Sequence, residues 1–140
     1  MCRSVAALLA ALALAGCSRE EEAELPAACR LGADAVVSAL SSAPGEVRLE
    51  GDTALSDCLA RESEQADVLL VGEVYISAAS RLADAGEALR LGYLLGAAQR
   101  GAGQTQGIHD ELVRRLEQET GRVDDEQALR RGERAGLESG

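Results

Sequence analysis

The side chains with the clearest chemical capacity are few. They are one histidine, His109, one carboxylate, Glu73, set inside the apolar run 68–76, and four cysteines, Cys2, Cys17, Cys29 and Cys58. His109 is the only group whose ordinary pKa lies near neutrality, which makes it the first candidate for general acid or base work. Ser77, Ser80 and Asp110 are its nearest candidate partners, yet the chain holds no Gly-x-Ser-x-Gly turn to present a nucleophile. The plainer reading places His109 at the surface, in the first turn of a helix. Glu73 can serve as a buried acid with a raised pKa or pair with an arginine inside a bundle. Its plainer reading is the solvent side of a helix. Gly101 to Gly107 precedes a helix and can turn amides toward an anion. A phosphate-binding P-loop would need Lys after its last glycine, however, and Ile108 stands there. The chain has no lysine at all, which removes Schiff-base and Ser-Lys chemistry. Glu46, Glu50, Asp52 and Asp57 lack the spacing of a calcium loop, and solvation accounts for them. No catalytic, cofactor or metal-binding residue is assigned.

The remaining chemistry is at the amino terminus. Arg3 is followed by the apolar stretch Val5 to Ala15 and then by Leu14-Ala15-Gly16-Cys17. A positive start, a short apolar run and small residues form the three-part layout of a secretory signal. The run is too short to span a bilayer, which takes about 20 apolar residues. A branched apolar residue and two small residues directly before cysteine resemble the lipobox of bacterial prolipoproteins, over the first 18 residues only. The resemblance implies a diacylglyceryl thioether on the Cys17 sulfur, cleavage between Gly16 and Cys17, and in many members acylation of the freed amine. Two or three acyl chains hold a protein durably where one does not. Cys2 falls in the removed segment. The expected address is the extracytoplasmic side of a bacterial membrane or envelope.

Removal of residues 1–16 leaves 13 arginines against 24 acidic residues, a difference of −11. Nucleic acid needs clustered cations to displace its counterions and is not an expected partner. An anionic membrane surface would also repel this chain, so contact with the membrane is expected through the lipid alone. Residues 17–25 carry like charges and read as an acidic tether. Cys29 and Cys58 are an even pair in an exported chain and read as a disulfide. Closing a loop of that length contributes roughly 3 to 4 kcal/mol in the chain-entropy model. Two thiols and one distant imidazole fit no zinc site.

The elements that must position these groups read as all-α, a small bundle of four to five helices over residues 26–120. With no Trp or Phe and only Tyr75 and Tyr93, its core is built from Leu, Val, Ile and Ala. A first helix runs from Pro26 to about Ser42, followed by a break at Pro44-Gly45 and a short second helix from Asp52 or Thr53 to Ala60. The stretch from Glu64 to Arg100 carries a helical stripe of Val68, Val71, Tyr75, Ala78, Ala79 and Leu82. A buried strand over 67–72 competes with it, and the surrounding helix formers favour helix. Gly86 splits this stretch into two antiparallel helices. Gly92 and Gly96 have the spacing that lets two helix backbones approach, as packing within a bundle rather than across a membrane, with weak dimerisation through the same face as the minor alternative. Ile108 to Thr120 is amphipathic, with Asp110–Arg114 and Glu111–Arg115 as supporting pairs. Residues 121–140, charged and glycine-punctuated, read as a flexible tail with transient helix near Asp124 to Arg131.

An anchor without recognisable chemistry points to a binding or accessory module of the envelope, with an envelope protein or a peptide as partner. A small hydrolase using Glu73 or His109 as general base is the alternative from another class, and a structural spacer is a third.

Overall fold

The computed structural model describes residues 24–60, 65–105 and 107–140. Among the described residues five α-helices follow one another: α1 (Ala33–Ala39), α2 (Gln65–Asp84), α3 (Ala88–Ala102), α4 (Asp110–Thr120) and α5 (Glu126–Ser139). Among the described residues there is no strand, only an isolated bridge between Leu49 and Thr53. The fold is all-α.

The first predicted helix is real but broken. Gly32 adopts φ 87°, a region open to glycine and costly for other residues. It splits Pro26–Ser42 into a 3₁₀ turn, Ala27–Arg30, and the short α1, which closes in a second 3₁₀ turn, Leu40–Ser42. The second predicted helix is likewise a 3₁₀ turn, Leu55–Cys58, tightened by the Asp57 carboxylate accepting from the Ala54 amide at 2.9 Å. Leu25, assigned from sequence to the tether, is buried, so the domain begins one residue early. Cys29 and Cys58 form the disulfide that joins the turns Ala27–Arg30 and Leu55–Cys58, with Cα atoms 5.6 Å apart.

Residues 67–76 are helix, not strand. Val71, Val74, Tyr75, Ala78, Ala79 and Leu82 are the buried face of α2, and the burial of such a face supplies most of a helix's stability in a folded domain. At Gly86 (φ 70°) the Glu87 amide reaches the Leu82 carbonyl and the Gly86 amide reaches that of Ala83, a two-bond helix stop that relies on glycine. α3 then enters the centre. Every residue from Leu91 to Ala98 is buried, as in a helix covered on all sides.

The cover on one side of α3 overturns the expectation of a flexible tail. Residues 126–139 are α5, which lies parallel to α3: Gly132 sits on Leu89, Gly136 on Tyr93 and Gly140 on Ala97. Reciprocally, Gly92 sits on Leu129 and Gly96 on Glu133. A Cβ at Gly132 would stand 1.9 Å from the Leu89 carbonyl oxygen, and one at Gly92 would stand 2.0 Å from that of Leu129. The two backbones touch, and the contact needs few apolar side chains. The Asp125 carboxylate caps α5 by accepting from the Ala128 amide at 2.9 Å. At the other end Arg48 donates to the Ser139 carbonyl at 2.9 Å, and Arg100 donates to the carbonyls of Leu137 and Glu138. Cations at a helix C-terminus satisfy carbonyls that lack helical partners and oppose the helix dipole. The Ser56 hydroxyl donates to the Gly140 carbonyl at 2.6 Å.

Candidate functional site

The sequence candidates disperse. Cys17 lies outside the described residues. Cys29 and Cys58 are buried in their disulfide. His109 departs from its expected surface position: it is 1% exposed, next to the start of α4. The Thr105 hydroxyl donates to the Ala102 carbonyl at 2.9 Å, so toward the His109 Nδ1, 3.1 Å away, it acts as acceptor. This network assigns the proton to Nδ1. Burial lowers the His109 pKa below its ordinary value, and the nearby Asp110 carboxylate opposes that shift in part. An imidazole held neutral, enclosed and committed to a threonine serves the turn that starts α4. Sequence gave no sign of this, since the hydroxyl partner stands outside any motif.

Glu73 is exposed and lies elsewhere, on the wall of a groove between α2 and α4. The groove has a volume of about 850 Å³. Val68, Leu69, Gly72 and Ile76 of α2 form one wall, and Ile108 and Leu112 begin the other. Leu69 is 66% exposed and Ile108 51%. They are two of only four large apolar side chains that are exposed among the described residues, the others being Leu31 and Leu137. Ser77 and Ser80 also line the groove, but His109 does not, so the two general-base candidates are not brought together.

The rim is ionic. Glu111 accepts from Arg114 at 2.8 and 2.9 Å and from Arg115 at 2.9 Å, and these hydrogen bonds, Arg114 first, pull its carboxyl down to about 2. Arg114 therefore pairs with Glu111, whereas Asp110 was its expected partner. At the far end Arg122 contacts the Ser80 hydroxyl at 3.2 Å and pairs with Asp84 and Glu119, tying the end of α4 to the end of α2. Arg81 pairs with Asp34 of α1.

Gly72 marks the middle of the α2 wall. The glycines inside α3 and α5 meet neighbouring backbone at once, among them Gly101 of α3, whose Cβ would stand 2.6 Å from the Ser56 carbonyl oxygen. A Cβ at Gly72 would meet nothing within 4 Å. The sequence signal for the groove is a second apolar stripe on α2, Leu69-Gly72-Ile76, outside the buried one. No described helix is long and apolar enough to cross a membrane. Comparison with protein-family models, with curated proteins and with solved structures gives no match.

Proposed function

We propose that this protein is a lipid-anchored envelope lipoprotein that acts as a binding module, held to the membrane by acyl chains on Cys17 and engaging a protein partner through the groove between α2 and α4. The location rests on Leu14-Ala15-Gly16-Cys17. The disulfide supports it, because such bonds persist in oxidising compartments.

The observation that carries the binding role is the concentration of exposed apolar surface at one place, with Leu69 and Ile108 facing the same groove. An apolar floor ringed by polar groups is the anatomy of a protein-recognition surface. Metabolic labelling with an alkyne fatty acid tests the anchor: the wild-type chain takes up label and sediments with membranes, and Cys17→Ser does neither. Equal labelling of Cys17→Ser removes this reading. For the groove, a photo-crosslinker at Leu69 should capture a discrete protein in cells where one at the exposed Arg130 on α5 does not; equal capture at both positions removes the assignment.

A further inference from the structure

We infer that the groove between α2 and α4 receives a cationic amphipathic helix, with one of its apolar side chains seated against Gly72. The inference rests on the reading of this groove as the binding surface and specifies its occupant.

Glycine inside a helix lowers its stability, by about 1 kcal/mol relative to alanine. In α3 and α5 the glycines offset that cost by backbone contact, whereas Gly72 leaves a notch open to the groove. The notch lies between Leu69 and Ile76, so the wall offers ridges on either side of a socket for one side chain. Knob-in-hole fitting of this kind is how helices dock on helices.

The chemistry of the floor selects the form of the occupant. The side chains of Leu69, Ile76, Ile108 and Leu112 offer no hydrogen bonds, and along the α2 wall the backbone is helical and bonds to itself. An extended peptide would lay unpaired amides on this floor, while a helix satisfies its own. The α2 wall from Val68 to Arg81 is about 20 Å long at 1.5 Å per residue, enough for three to four helical turns.

Charge selects the sign. Arg81, Arg115 and Arg122 are all committed to carboxylates, and Glu73 stands exposed on the wall. The chain as a whole carries −10. A field of this sign draws a cationic partner and repels an anionic lipid or fatty acid from the same floor.

The test uses the full chain carrying Cys17→Ser, so that failure of the groove and failure of the anchor are read separately. The probe is a fluorescent helical peptide of about 18 residues with a Leu/Ala face and a Lys face, compared by anisotropy with a twin bearing a Glu face and with a fluorescent fatty acid. We expect saturable binding of the Lys peptide that weakens with salt. Gly72→Leu, which fills open space, should weaken it at least about tenfold, the loss typical of one apolar anchor, with a thermal transition no lower than that of the wild type as the control for folding. Glu73→Lys should weaken it too, leaving the fold intact. Absence of saturable binding, equal or tighter binding of the Glu peptide or the fatty acid, or undiminished binding to a folded Gly72→Leu protein would each overturn the inference.

Discussion

At Gly136 the Cβ that alanine adds would stand 2.1 Å from the Tyr93 carbonyl oxygen, while at Gly72 it would meet nothing. The same substitution therefore has opposite signs at the two sites. Gly136→Ala forces α3 and α5 apart and should cost about 1 to 3 kcal/mol, as overpacking does, whereas Gly72→Ala should stabilise by up to about 1 kcal/mol; urea midpoints read both. His109 supplies a second test at this scale. Because burial lowers its pKa in the folded state, the unfolded chain binds a proton first as the pH drops below about 6.5. The stability tied to neutral His109 is fully present above that value and declines as the pH falls toward the folded pKa. The advantage of the wild type over His109→Gln in urea should shrink across that window, and a constant gap would contradict the burial argument. None of these three roles was legible in the sequence. A glycine looks the same whether it faces backbone or open space, and a lone histidine does not reveal a threonine four residues earlier as its partner.

At the scale of elements, hydrophobic periodicity located α2, α3 and α4, and Gly86 marked the turn between the first two, because these features depend on local chemistry. It missed α5, where a low apolar content and repeated glycine resemble a disordered tail. The missing signal was the matched spacing of Gly132, Gly136 and Gly140 with Gly92 and Gly96, which acquires meaning only once two helices are placed side by side. Amide exchange should find the central amides of α5 protected to the same degree as those of α3; rapid exchange throughout 126–139 would restore the flexible tail. The disulfide acts at this scale as well, tying the turn before α1 to the turn before α2. Replacing both Cys29 and Cys58 by serine should lower the unfolding free energy by roughly 3 to 4 kcal/mol, with cooperative unfolding retained.

For the whole molecule, the proposed anchor is joined to a domain that places two of the four large apolar side chains exposed among the described residues, Leu69 and Ile108, at one groove. An anionic bilayer surface repels a chain of this charge, so under the proposed anchoring the lipid alone would hold the domain at the membrane. The groove was barely visible beforehand: Leu69, Gly72 and Ile76 were readable as a second stripe, but the opposing wall depends on where α4 comes to rest. The proposed anchor, by contrast, rests on a local pattern around Cys17 that is readable in the sequence alone. Its direct test is the intact mass of the protein extracted from membranes with mild detergent. The account predicts a chain beginning at Cys17 that carries a diacylglyceryl group and a further acyl chain or a free amine, with one disulfide. A mass that retains residues 1–16, or a chain cleaved elsewhere without lipid, would contradict it.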